Sequence, residues 1–304
     1  MTGEQTVLVT GATGRVGGQV VAQLAGAGDV RVRALSRDPA AASAALGPRV
    51  EVVGGDLAMP DTLTAALDGV DAVFLVFPSV AADRSARKLV TMLTERARRI
   101  VYLSTHGVPD EPDQRAEPDG GILGSHAHLE GLIAASASEY TFLRSSGFAA
   151  NTLAWAGQIR RSDVLRWFLP EARRALVHEA DLAAVGVRAL TEDGHHRMAY
   201  HLTGPEQLTQ IEQLAAIGDA LGRTLRFEEI DAAEAGAELF PGLPSEVVAS
   251  IIAGQAAMVA QPEPVTDTVA RLTGRPASSF AQWARDHVGD FTETREVRGG
   301  RAAR

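Results

Sequence analysis

Three glycines, Gly11, Gly14 and Gly17, recur at every third position between the apolar run Val7-Leu8-Val9 and a stretch carrying Val16, Val20, Val21 and Leu24 at helical spacing. The chemistry this spacing serves is capture of a pyrophosphate. The first glycine permits a sharp turn out of a strand, the second lets the anion approach the backbone, and the third lets the next helix pack closely on that strand. The N–H groups of Thr13, Arg15 and Val16 then lie at a helix start, where orphan donors and the helix dipole favour an anion. A glycine triplet alone is weak evidence. Here it has a strand before it, a helix after it and a second strand about twenty residues on, the full dinucleotide-binding context.

The second strand, Arg31 to Leu35, decides which dinucleotide. It ends Ala34-Leu35-Ser36-Arg37, and the first acid, Asp38, comes one place too late to take the ribose 2′-hydroxyl of NAD. Ser36 and Arg37 suit a 2′-phosphate instead, which a planar guanidinium can clamp. One charge-assisted hydrogen bond contributes about 1.5–3 kcal/mol. That is roughly a 10- to 150-fold preference for NADP over NAD. The bland role for Arg37 is a solvated loop arginine paired with Asp38. Asp56-Leu57 follows a third strand, Val50 to Val53; its carboxylate either accepts from the adenine amino group or caps the next turn.

These residues need a scaffold that brings strand ends together. Further apolar runs at Ala72 to Phe77, Ile100 to Leu103 and Tyr140 to Leu143 alternate with helix-length segments. Such spacing implies parallel pairing through crossovers, and continuous apolar strands imply a sheet covered on both faces. The expected fold is therefore α/β, a Rossmann-type doubly wound parallel sheet with a smaller, mainly helical C-terminal substrate lobe. Residues 1–146 form the expected dinucleotide-binding domain. Residues 147–291 form a mixed part that holds the lobe and returns some strands to the sheet, and 292–304 a frayed tail. Asp61 to Leu67 reads as a helix capped by Asp61, Ser125 to Ala137 as another, and the proline- and acid-rich Val108 to Gly121 as a mobile loop.

The chain has 304 residues and a formal net charge of -9, which disfavours nucleic acid as a partner. It contains no cysteine, so disulfides, thiolate metal sites and a cysteine nucleophile are excluded. His126 and His128 are two apart and diverge on a helix, and His195-His196 falls in a turn, so no metal site is expected. Neither a signal peptide nor an apolar run of spanning length is present, and a cytoplasmic monomer or homo-dimer acting on a small molecule, without a membrane partner, is the expectation.

Thr10-Gly11-Ala12-Thr13-Gly14-Arg15-Val16-Gly17, Ser36-Arg37, Gly55-Asp56-Leu57, Val101-Tyr102-Leu103-Ser104 and the block from Tyr140-Thr141-Phe142-Leu143-Arg144 to Gly147-Phe148 and Asn151 resemble the atypical short-chain dehydrogenase/reductases. The likeness is greatest to the NmrA-like group, which includes isoflavone-reductase-like and type 2 quinone-oxidoreductase-like proteins. It implies that Val76-Phe77-Pro78 and Ser104-Thr105 line the cofactor, and that the lobe after Gly147 covers the nicotinamide. The Tyr-x-x-x-Lys pair of most short-chain dehydrogenases is missing, since Lys88 is the only lysine. Isoflavone-reductase-like relatives carry a lysine fourteen residues before the Tyr-Thr strand, and here that position is His126.

By that resemblance His126 binds the nicotinamide ribose, donates a proton to a developing oxyanion, or both, with Glu130 on its helix face. Thr105 or Ser104 can orient a carbonyl, although strand-end hydroxyls more often bond backbone. Arg144 and Asn151 read as structural, and Trp155, Trp167, Phe168, Phe240 and Trp283 as lobe aromatics that line substrate or simply fill a core. The expected function is NAD(P)H-dependent reduction of a small apolar carbonyl or quinone-like compound, conceivably auxiliary to aromatic polyketide or other secondary metabolism. The alternative is an NmrA-type sensor that binds NAD(P) without turnover.

Overall fold

The alternation of β-branched runs with Ala/Leu-rich segments is realised as a parallel sheet with helices on both faces. The computed structural model describes residues 5–28, 30–77, 85–110, 122–136 and 138–292. In chain order the first elements are β1 (Gln5–Val9), α1 (Arg15–Ala27), β2 (Val30–Ser36), α2 (Pro39–Leu46), β3 (Glu51–Gly54), β4 (Ala72–Leu75), α3 (Ser85–Arg96), β5 (Arg99–Thr105), α4 (Ile122–Ala134) and β6 (Glu139–Ser145). There follow α5 (Ala156–Ile159), β7 (Val164–Trp167), β8 (Arg173–Arg174), α6 (Glu179–Thr191), β9 (Met198–Leu202), β10 (Leu208–Thr209), α7 (Gln210–Leu221) and β11 (Arg226–Glu229). Helices α8 (Ala232–Leu239), α9 (Ser245–Ala260), α10 (Thr268–Thr273), α11 (Phe280–Asp286) and α12 (Val288–Thr292) complete the chain.

Among the described residues seven strands pair in the order β3-β2-β1-β4-β5-β6-β9, all parallel. This is the Rossmann order, in which the chain winds outward from β1 and then restarts at β4. The crevice at the carboxyl ends of β1 and β4 is where such sheets take ligands. Strand alternation sorts the core into two layers. Val7 and Val9 face Val16, Val20 and Leu24 of α1 and Leu182 and Val185 of α6. Leu8 faces the other way, toward the layer holding Leu89 and Leu93 of α3 and Leu129 and Ile133 of α4. Each such side chain stabilises the fold by about 1.5–3 kcal/mol on burial. Close packing of α6 on β4 depends on Gly186, where an added Cβ would stand 2.7 Å from the Phe74 ring.

This sheet belongs to a unit made of Met1–Phe148, Val177–Pro205 and Val265–Ala277. The second unit comprises Ala149–Leu176, Glu206–Pro264 and Ser278–Arg304. It is mainly helical, with two small ladders, β7 with β11 in parallel and β8 with β10 antiparallel. Helix α7 opens with a full capping box between Thr209 and Glu212. Trp155, Trp167, Phe168 and Trp283 are buried in this unit's core, and half-buried Phe240 meets Trp167 and Phe168 edge-on. These aromatics therefore fill a core rather than line an opening.

Two expected helices are corrected. Asp61 does not cap a helix over 61–67; a 3₁₀ turn spans Pro60–Leu63, because Pro60 supplies the first turn, and the Asp61 carboxylate pairs with Lys88 at 2.6 Å. Helix α4 begins at Ile122, three residues before the expected Ser125, and ends at Ala134. Its register follows the apolar stripe of Leu129 and Ile133, which carries the helix back through Gly124. Most of the expected mobile loop, residues 111–121, and the tail from 293 lie outside the described residues. No helix among the described residues is long and apolar enough to cross a membrane.

Candidate functional site

The chain leaves β1 through Thr10, whose hydroxyl is fully buried and ties the turn to β4. It accepts from the Val76 N–H at 2.7 Å and donates to the Val76 carbonyl at 2.9 Å. Gly11 follows in the left-handed region at φ 59°, and a Cβ there would stand 3.1 Å from that of Val76. Gly14 caps α1 without any side-chain hydrogen bond, so the first-turn N–H groups beyond it are left for an anion. A Cβ on Gly17 would lie 2.2 Å from the Gly11 carbonyl oxygen, so helix and turn can approach this closely only through glycine. Thr13 and Arg15 are exposed beside this turn, and Val16 is buried under it. The cradle fits a pyrophosphate, and residues 11, 13, 14, 15, 16 and 17 are those that would hold it.

At the end of β2, Ser36 Oγ accepts from the Asp38 N–H at 3.0 Å, and Asp38 in turn caps α2 by accepting from the Ala41 N–H at 3.1 Å. Asp38 is thus occupied by the helix, and Arg37 stands exposed with no ion pair among the described residues. That arrangement leaves the guanidinium for a 2′-phosphate. Asp56 Oδ1 accepts from the Ala58 N–H at 2.9 Å, which is the turn-capping role; its other oxygen is the one left for an adenine amino group. Leu57 is half-buried, packed against the second core layer.

Further along the sheet the site changes character. His126, on α4, is half-buried, and its Nδ1 lies 2.6 Å from the hydroxyl of Tyr102 on β5, a residue with no exposed surface. Burial lowers the imidazole from 6.5 to about 4, so it is neutral at physiological pH. Burial, then the charge of Glu130, push the Tyr102 hydroxyl up, which keeps it protonated. A neutral imidazole is a hydrogen-bond donor and a poor proton donor, so the ribose- or carbonyl-binding role fits His126 better than the acid role.

One turn along α4, Glu130 shares the β5-facing side of the helix with His126, but its carboxylate meets other partners. It is fully buried and receives Arg144 in a fork, Nε to Oε1 at 3.0 Å and Nη2 to Oε2 at 2.8 Å, and Ser104 Oγ at 2.6 Å. Arg144 also reaches Asp110 at 2.5 Å. Burial works against that guanidinium's charge, and Glu130 and Asp110 more than offset it. The Ser104 hydroxyl is therefore drawn into a buried ionic network rather than presented to the crevice. Arg144 is structural.

The structure brings His126 to Tyr102, but not to Thr105. Thr105 follows the alternation of Val101 and Leu103, whose layer packs on α1 and α6, while Tyr102 and Ser104 face α4. Its half-buried hydroxyl makes no hydrogen bond among the described residues. Val76 stands beside Gly11, whereas the Phe77 ring is buried in the core, so only its backbone can line the cofactor. Pro78 lies outside the described residues. Sequence reasoning missed Thr10 and Tyr102. A hydroxyl at a strand end next to the first glycine was a signal for Thr10. Tyr102 offered only its parity with Ser104 on β5.

The NAD(P)H-binding family matches residues 11–193 of the chain. Among characterised relatives, the (4-alkanoyl-5-oxo-2,5-dihydrofuran-3-yl)methyl phosphate reductase of Streptomyces griseus is 38% identical, over 94% of this chain and 99% of its own. The NAD(P)H azoreductase of Xenophilus azovorans is 33% identical, over 94% and 99%. The NADPH complex of a quinone oxidoreductase from Escherichia coli superposes with a TM-score of 0.75, at 25% identity, over 92% and 99%. The chain thus belongs to the NAD(P)H-binding family, among the atypical short-chain dehydrogenase/reductases its motifs resemble.

Proposed function

We propose that this protein is an NADPH-dependent reductase of a small, largely apolar carbonyl or quinone-like compound. The observation that carries the reading is His126: a neutral imidazole, tied at Nδ1 and placed on the helix after β5, in a chain whose β1–α1 turn is shaped for a dinucleotide. When bound, the cofactor supplies a hydride from its nicotinamide. The Gly11–Gly17 turn holds the pyrophosphate, Arg37 the 2′-phosphate and His126 a hydroxyl or carbonyl oxygen near the nicotinamide end. Among the described residues no proton donor makes a hydrogen bond to the exposed side of His126, which suits acceptors whose reduced oxyanion takes its proton from water, as a hydroquinone does. The activities of the relatives, on an azo compound, a quinone and a furanone phosphate, support an NAD(P)H reductase and leave the acceptor open. An auxiliary step in aromatic polyketide or other secondary metabolism would use the same chemistry.

Calorimetric titration with NADPH and NADH, on wild type and Arg37→Ala, followed by turnover on a panel of quinones, tests this. NADPH should bind about 10- to 150-fold tighter than NADH, with the difference lost in Arg37→Ala. Equal affinities would remove Arg37 from the site. Binding without hydride transfer to any acceptor would favour the non-catalytic nucleotide sensor.

A further inference from the structure

Tyr102 has no exposed surface, and its hydroxyl meets a single hydrogen-bond partner among the described residues, Nδ1 of His126 at 2.6 Å. A buried O–H must donate somewhere. Glu130 directs its oxygens at Ser104 and Arg144, so the imidazole is the acceptor left. A neutral histidine carries one proton. Were it on Nδ1, the tyrosine proton would be orphaned in the core, a penalty that disfavours that tautomer by about 5- to 150-fold. The proton therefore sits on Nε2. That atom makes no hydrogen bond among the described residues and is absent from the buried polar atoms lacking a partner, so it keeps some accessible surface.

We propose that Tyr102 is a positioning residue, donating to Nδ1 and fixing His126 as an Nε2–H donor toward the nicotinamide end of the bound cofactor. The assignment of that end rests on the reductase reading above; the tautomer does not. The tyrosine holds no path to solvent, so it orients the imidazole and relays nothing. Its work resembles that of a buried carboxylate behind a catalytic histidine, with the difference that a tyrosine presents a donor and so selects the opposite ring nitrogen.

The test uses full-length protein labelled with ¹⁵N-histidine and two-bond ¹H–¹⁵N correlation spectra at neutral pH, with the His126 signals assigned by their loss in His126→Gln. Wild type should show a protonated Nε2 and an unprotonated, hydrogen-bonded Nδ1. In Tyr102→Phe, which removes only the hydroxyl, the two forms should mix. NADPH should bind about 3-fold more weakly, and kcat on 1,4-naphthoquinone should fall about tenfold with KM within about twofold. A wild-type proton on Nδ1, or a tautomer unchanged in Tyr102→Phe, would overturn the proposal. Should Tyr102→Phe not fold, the wild-type spectrum alone decides the tautomer. Should wild type transfer hydride to no acceptor, the reductase reading falls, while the tautomer and the NADPH affinity of Tyr102→Phe still judge Tyr102.

Discussion

At the start of α1 the protein works with bare backbone, whereas beside β5 it works with polar side chains that burial has made costly. The turn from Gly11 to Gly17 gains its function from what is missing: no Cβ at Gly17, no capping side chain at Gly14. The region around His126 is the reverse. Ser104, Glu130 and Arg144, from two strands and a helix, satisfy one another in a buried layer, and Tyr102 beside them meets His126. The first design rests on three glycines and on the buried Thr10 hydroxyl that ties the turn to β4. The second is over-determined, and removing one member strands the others.

The largest expected effect lies in the second region. Glu130→Ala leaves the buried Arg144 guanidinium with the Pro109 carbonyl and one carboxylate among the described residues, Asp110, which is 78% exposed, and breaking a buried pair in this way costs about 3–5 kcal/mol. Thermal unfolding should record a loss on the order of 10 °C. A loss below about 1 kcal/mol would show that water enters the network readily, as at a surface pair.

Gly17→Ala attacks the other design. The new Cβ would stand 2.2 Å from the Gly11 carbonyl oxygen, so the turn must open or α1 must shift. NADPH affinity should fall at least about 100-fold, close to 2.7 kcal/mol. Circular dichroism should retain the helical signal, since the cores behind α1 are untouched. Unaltered binding would mean that the turn is more plastic than its contacts imply.

The contrast between the regions also explains what could be read from the sequence. Gly11, Gly14 and Gly17 act through local geometry, and local geometry is written in spacing; so are the strands that follow, because each is a short apolar run bounded by turn residues. The place of Arg37 at the end of β2 was legible for the same reason. Tyr102 and His126 are twenty-four residues apart and meet only because β5 lies next to α4 in the folded layer. Glu130 and Arg144 pair across α4 and β6. No periodicity announces such meetings: helical spacing put Glu130 on the face of His126, but nothing in it announced the guanidinium that β6 presents to that carboxylate. Residues 147–291 were expected to return some strands to the sheet, but no local mark said which: β9 joins it beside β6, and α10 belongs to the same unit.

A pH titration separates the regions further. The His126 imidazole is held down near 4 in the fold, against 6.5 in an unfolded chain. Protonation therefore favours unfolding: the contribution is intact above pH 6.5 and lost as pH falls from 6.5 toward 4. At 1.36 kcal/mol per unit the total is on the order of 3 kcal/mol. Denaturant unfolding of wild type across this window should steepen toward low pH relative to His126→Gln. Parallel slopes would place the acid sensitivity elsewhere. Turnover on a quinone should also lack a titration near 6.5, because the imidazole is already neutral there.

The smallest effect probes the boundary between bare-backbone and side-chain design, at Asp38. This carboxylate lies next to Arg37, yet the structure gives it to the N-terminus of α2, where it accepts from the Ala41 N–H. Asp38→Ala should therefore lose about 1 kcal/mol of stability, the usual worth of an N-cap. NADPH binding should hold or tighten slightly if the 2′-phosphate sits here, because a negative charge beside it is removed while Arg37 has no ion pair to lose among the described residues. NADH, which lacks that phosphate, should bind as before. If Asp38→Ala instead weakened NADH selectively, the carboxylate would be reaching the ribose 2′-hydroxyl, and the end of β2 would be a site for NAD rather than for NADP.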